Sequence, residues 1–149
     1  MNISIICIGK LKERFWKEAC EEYLKRLGRF AKVEVLELPE SKSDNKDEES
    51  AEILAHIPKN SYTIALDVGG KALKSEKLAE KISTLAIDGI SHISFVIGGS
   101  NGYNDNVRKA ADFRLSFSDF TFPHQLMRVI LLEQIYRAYK INAGEKYHK

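Results

Sequence analysis

The chain has 149 residues, 30% of them charged and 44% hydrophobic, and a formal net charge of +2. A single domain of this length buries roughly 68–70% of its unfolded surface and needs neither a metal nor a disulfide framework to hold it together. No apolar run reaches the roughly 18 residues of a membrane span, and the small net charge means that any nucleic-acid partner must be met by a local basic face.

Taken in order, residues 3–8 form a run with β-branched residues that is apolar apart from Ser4, ended by Gly9, which predicts a buried strand followed by a loop. The charges come after that run and no small-residue cleavage site follows, so it is a first strand and not a signal peptide. Residues 13–27 place Phe15, Ala19, Tyr23 and Leu27 at near-helical spacing, with Gly28 as a stop. Val33, Val35, Leu36 and Leu38 predict a second strand that Pro39 ends. SKSDNKDEES, residues 41–50, is poor in apolar side chains and reads as a mobile, solvated loop entering a helix that runs to about His56.

YTIALD, residues 62–67, is the third strand, with Val68-Gly69-Gly70 as its glycine stop. Ser75 ahead of Leu78 and Ile82 predicts an N-capped helix to about Asp88, closed by Gly89. Residues 92–97 are the fourth strand, which stops at Gly98-Gly99. A polar loop closed by Gly102, a short helical piece and a second apolar run then lead to the Ser/Asp/Pro turn that opens the last helix, from His124 to about Ile141. Cys7 and Cys20 have no CxxC pairing and no His at ligand spacing, so they are structural thiols suited to a reducing cytoplasm, and no metal site is expected.

Strands alternating with helical patterns predict an α/β fold: a mostly parallel sheet with helices on both faces. Ligands of such sheets bind beyond the carboxyl ends of the strands, where Leu66-Asp67, Gly98-Gly99 and Phe117-Ser118 fall. Strands that stop at glycines let backbone groups approach a ligand without interference from Cβ. The last helix is apolar apart from a sector holding Glu133, Gln134, Arg137 and Lys140, which is more apolar surface than one sheet face covers; it predicts a homodimer. Arg128 interrupts the apolar side and must meet an anion: a protein carboxylate such as Asp119 or Glu133, a ligand carboxylate or a phosphate, with an internal carboxylate the commoner case.

Charge is segregated along the chain. Residues 10–32 carry eight basic and four acidic side chains, residues 34–52 eight acidic and two basic, and residues 124–149 five basic and two acidic. The two basic segments form either a face for an RNA backbone or ordinary solvated helix surfaces, with Lys10, Lys12, Arg14, Arg137, Lys140 and Lys149 the candidates for phosphate contacts.

VIGGSNG (residues 96–102), SFSDFTFPHQLMRV (116–129), LLEQIYRAYKI (131–141), the closing GEKYHK and the opening ISIICIGKLKERFW together resemble the ribosomal large subunit methyltransferase H family. That family belongs to the SPOUT, or trefoil-knot, class of S-adenosylmethionine-dependent RNA methyltransferases. The resemblance spans the whole chain and implies one domain over residues 1–149 with a C-terminal trefoil knot, its cofactor held by the loops 98–102 and 117–123. It implies S-adenosyl-L-methionine contacts at Leu66, Gly98, Phe117, Ser118, Asp119, Phe120, Thr121 and Phe122. The implied acceptor is N3 of a pseudouridine in helix 69 of 23S ribosomal RNA on the assembled ribosome.

The N3 proton must be removed or the resulting anion stabilised, for which His148, His124 and Arg137 are candidates, with Tyr147 to stack on or hydrogen-bond the base. His124 also suits a cap for the last helix, and the family's closing motif implies that His148 reaches the partner subunit's active site. Two other readings remain: a noncatalytic ribosome-associated RNA-binding dimer, and a small Rossmann-like protein. The second lacks GxGxxG after the first strand, where Gly9-Lys10 stands.

Overall fold

A computed structural model describes residues 1–149. Strands β1 (Asn2–Ile8), β2 (Lys32–Leu38), β3 (Tyr62–Ala72), β4 (His92–Ile97) and β5 (Phe113–Ser116) form one sheet in the order β2-β1-β4-β3-β5. Every pairing is parallel. The helices are α1 (Arg14–Leu27), α2 (Lys46–His56), α3 (Ser75–Ile87), α4 (Asp105–Ala110) and α5 (His124–Asn142).

Successive side chains of a strand point to opposite faces, and both faces here are covered. Ile3, Ile5 and Cys7 of β1, with Ile93, Phe95 and Ile97 of β4, pack against Leu27 of α1, Ile82 of α3 and Leu132 and Ile135 of α5. Ile6, Ile8 and Val96 face the other way, onto Ile53 of α2 and Val107 of α4. Double coverage is why β1 and β4 are apolar over most of their length, with Ser4 and Ser94 hydrogen-bonded to His92 and Ser61. Truncating a side chain such as Ile135, which is fully buried, to alanine is expected to cost about 2–5 kcal/mol.

Helix α5 packs against α1 and α3, so neighbours within the chain cover much of its apolar surface. Leu131, Leu132, Ile135 and Ala138 are buried, whereas Leu126, Val129 and Ile130 stay half-buried. Arg128 is buried as well. Its Nη1 donates to Glu37 Oε2 of β2 at 2.5 Å and its Nη2 to the Gly9 carbonyl at 3.0 Å. The expected carboxylate partner exists, but it is neither Asp119 nor Glu133.

Several local expectations need correction. The third strand does not stop at its glycines: β3 pairs with β5 through Leu66, leaves the ladder over residues 67–70, and resumes with Lys71 opposite Leu115. Gly70 permits the resumption, because a Cβ there would lie 2.7 Å from the Arg114 backbone. Lys74, not Ser75, is the N-cap of α3; the Ser75 hydroxyl instead donates to Gln134 Oε1 at 2.7 Å, tying α3 to α5. Pro123 is the N-cap of α5, with no side-chain cap from Asp119 or His124.

The acidic segment is not a solvated loop along its length. Asn45 caps α2 by accepting from the Asp47 and Glu48 amides at 2.9 and 3.2 Å, and the acidic first turn suits the positive end of the helix dipole. Glu49 and Ser50 are buried. Glu49 Oε2 accepts from the Ser41 amide at 3.0 Å, Asp47 Oδ1 from Asn104 Nδ2 at 2.9 Å, and Ser50 Oγ from the Asn104 amide at 2.9 Å. The segment therefore braces the loop that follows β4.

Candidate active site

Beyond the carboxyl ends of β4 and β5, and against the break in the β3 ladder after Leu66, lies a cleft of about 340 Å³, within the range of small-molecule sites. One wall is glycine backbone. Gly99 and Gly102 bridge each other, the Gly102 amide donating to the Gly99 carbonyl at 2.9 Å, and Gly102 sits at φ +74°. A Cβ on Gly98 would lie 2.7 Å from the Gly102 carbonyl carbon, and one on Gly99 would lie 2.7 Å from Glu49 Oε1. No side chain fits at either position without moving its surroundings.

The opposite wall is the loop after β5. Ser116 Oγ donates to the Ser118 carbonyl at 3.2 Å and Ser118 Oγ accepts from the Phe120 amide at 3.0 Å, which turns the chain. Phe117, Ser118, Phe120, Thr121 and Phe122 line the cleft, as do Leu66 and Gly98. Asp119 does not line it. Phe120 is 78% exposed although it borders the cleft; an aromatic left in that state is suited to closing over a ligand.

Other lining residues were not among the expected contacts: Ile97 and Met127, which lie within the quoted motifs, and Tyr103, Arg108 and Leu115, which lie outside them. Tyr103 is buried and its hydroxyl donates to the Leu66 carbonyl at 2.7 Å. Asp67 Oδ2 receives Arg108 Nε at 3.1 Å and Arg114 Nη1 at 3.4 Å, while its Oδ1 receives the Gly69 amide at 2.9 Å. Burial works to raise the Asp67 carboxyl, but the Gly69 amide and the two guanidiniums outweigh it and hold the group below the usual carboxylate range. His124 lines the cleft too, so of the basic candidates it is the one beside the glycine wall.

Arg137, Tyr147 and His148 come together elsewhere, on the outer side of α5, and none of them lines the cleft. Arg137 donates to Glu133 Oε1 through Nε at 3.0 Å and Nη2 at 2.5 Å, and to His148 Nδ1 through Nη1 at 3.0 Å. Arginine only donates, so Nδ1 is the unprotonated nitrogen and Nε2 carries the hydrogen, given to Glu76 Oε1 at 2.7 Å. The Tyr147 hydroxyl donates to Glu133 Oε1 at 3.2 Å and its ring lies 4.9 Å from the Arg137 guanidinium. Burial and the Glu133 charge push Tyr147 up to about 12, so it is a hydrogen-bond donor at neutral pH and not a base. Hydrogen bonding to Glu133 raises Arg137 further and fixes its charge.

Among the other basic candidates, Arg14 pairs with Glu18 at 2.9 Å and Lys140 with Glu145. Lys10 and Lys17 border a second cavity beside Arg128. No helix is long and apolar enough to cross a membrane.

The family model described as "Predicted SPOUT methyltransferase" matches residues 1–148. The chain is 56% identical over 159 aligned positions to the ribosomal RNA large subunit methyltransferase H of Clostridium novyi (strain NT), covering 100% of both proteins. The chain belongs to the SPOUT methyltransferases, in the ribosomal RNA large subunit methyltransferase H family. The relative of the same name from Clostridioides difficile (strain 630) is 52% identical over 159 positions, again with 100% of both covered. A probable methylase family protein from Haemophilus influenzae Rd KW20 shares the fold, with a TM-score of 0.59 at 14% identity, covering 99% of this chain and 70% of that one.

As a SPOUT methyltransferase acting on ribosomal RNA, the chain uses S-adenosylmethionine as its methyl donor. The residues present fit that group. The Gly98 wall admits a planar ring against backbone, Phe117 and Phe122 offer apolar surface, and the cleft has the volume of a small-molecule site.

Proposed function

We propose that this chain methylates N3 of a pseudouridine in helix 69 of 23S ribosomal RNA, on the assembled ribosome in the cytoplasm, as a homodimer of single 1–149 domains. Each domain carries its trefoil knot in the loops 98–102 and 117–123. The observation that carries the reading is the separation of two sites in one chain. The cleft holds cofactor-type surfaces, while the acid–base side chains Arg137, Tyr147 and His148 do not line it. A second copy that lays its closing residues across the cleft joins the two halves, and the half-buried apolar stripe Leu126, Val129 and Ile130 of α5 supplies the contact.

Leu66, Gly98 and the 117–122 loop hold the cofactor, Asp119 through its backbone. When bound, the cofactor supplies a methyl group on a sulfonium, so positioning and exclusion of water are the main demands. His148 takes the weakly acidic N3 proton at Nδ1 once Arg137 moves off that nitrogen. Arg137, whose charge Glu133 secures, stabilises the anion left on the base, and Tyr147 stacks on or hydrogen-bonds it.

The test is a calorimetric titration of S-adenosylmethionine, with NAD and ATP as controls, followed by ribosomes carrying the unmethylated pseudouridine. Selective binding, then transfer only to assembled ribosomes, supports the reading. Binding without transfer sinks the acceptor assignment, and no binding at all favours a noncatalytic RNA-binding dimer. A monomer mass by light scattering at micromolar protein sinks the shared site.

A further inference from the structure

Among the residues that line the cleft, Arg108 is the only lysine or arginine and Asp67 the only carboxylate. Asp67 is occupied: both of its oxygens already receive donors, from the Gly69 amide, Arg108 and Arg114. Arg108 is occupied on one side only. Its Nε goes to Asp67 at 3.1 Å and its Nη1 to Asp105 at 2.9 Å, which leaves Nη2 without a protein partner on a side chain 35% exposed. The guanidinium is also held in place, lying 5.2 Å from the centre of the buried Tyr103 ring.

A guanidinium tied at two nitrogens, with its third aimed at neither tie, is prepared to meet an anion without losing further side-chain freedom. The methyl donor brings one anionic group, the α-carboxylate of its methionyl part, together with a cationic amine and a sulfonium. The cleft has no free carboxylate to attract the amine, and its one arginine repels both cations. The carboxylate is thus the only charged group of the donor that this arginine favours.

We propose that Arg108 binds the α-carboxylate of S-adenosylmethionine, with Asp67 and Asp105 as the positioning residues that hold its guanidinium. This rests on the cofactor assignment above and goes beyond it, because Arg108 lies outside the segments 98–102 and 117–122. Charge-assisted recognition of this kind makes the carboxylate worth about tenfold or more in affinity.

The experiment is a calorimetric comparison of S-adenosylmethionine with decarboxylated S-adenosylmethionine, which keeps the sulfonium and the amine, on the wild-type chain, Arg108→Ala and Arg108→Lys. The expected result is a wild type that prefers the carboxylate-bearing donor by about tenfold. Arg108→Ala erases that preference and binds the decarboxylated compound at least as tightly as the wild type does, since a repulsion of its cations is removed, and Arg108→Lys keeps part of the preference. Equal affinities of the wild type for the two compounds overturn the proposal without recourse to any variant. Equal losses for both compounds in Arg108→Ala overturn it in favour of a merely structural role. Unchanged binding with slower ribosome methylation overturns it in favour of an RNA contact. A wild type that binds neither compound overturns the cofactor reading and the proposal with it.

Discussion

Arg128 Nη1 reaches Glu37 Oε2 at 2.5 Å across 91 residues of sequence, joining the first turns of α5 to β2. The guanidinium is 2% exposed and the carboxylate side chain 33%, so the two partners are not equivalent. Glu37→Ala strands a buried charge and is expected to destabilise by about 3–5 kcal/mol. Arg128→Met leaves a carboxylate that water reaches and costs less. Urea unfolding of both variants and of the double variant measures the coupling; equal losses from the two single changes count against this asymmetry.

The glycine wall is tested by Gly98→Ala. A Cβ placed 2.7 Å from the Gly102 carbonyl carbon forces backbone to move, which costs about 1–3 kcal/mol of stability and deforms the cofactor cleft. S-adenosylmethionine affinity, read by calorimetry, is expected to fall more steeply than the melting temperature. Gly144→Ala, which introduces strain through a positive φ (+69°) with open space around its Cβ, is the control for a destabilised glycine away from the cleft.

On the proposed function, the closing residues carry the acid–base chemistry. Removing residues 145–149 is expected to abolish methylation while cofactor affinity stays within about twofold, since these residues are not among those lining the cleft. His148→Ala alone is expected to lower the methylation rate by about 10²–10⁴-fold. A parallel loss of cofactor binding in the truncated chain would show that the segment only supports the fold.

The two thiols predict an alkaline transition. Burial pushes both Cys7 and Cys20 up to about 11, against the lowering effect of Arg128. Their folded values lie above the unfolded value of about 8.5, so their contribution to stability is complete below that pH and is lost as pH rises towards 11. The Cys7→Ala/Cys20→Ala double variant, followed by denaturant titration between neutral pH and pH 11, should lose stability less steeply than the wild type over that window. In the native wild type at pH 8 both thiols should react slowly with a disulfide reagent.

Local patterns determined most of the architecture. β4 was legible to the residue, and β1, α1 and α3 to within a residue or so, because apolar runs, helical spacing and glycine stops are properties of neighbouring residues. The cleft was legible for the same reason: Gly98 and the 117–122 loop each announce themselves by composition and by likeness to known motifs. What depends on residues far apart in the chain had no such signal. Glu37 opposite Arg128, Glu49 behind Gly99, and Asp67 between Arg108 and Arg114 are meetings that only the parallel crossovers bring about. The acidic segment shows the limit most clearly. Its charge argued for solvent, yet Glu49 and Ser50 are buried: Glu49 accepts from the Ser41 amide and lies beside Gly99, and Ser50 accepts from the Asn104 amide of the loop after β4. Composition reports the average cost of burying a carboxylate; the partners that offset it exist only in three dimensions.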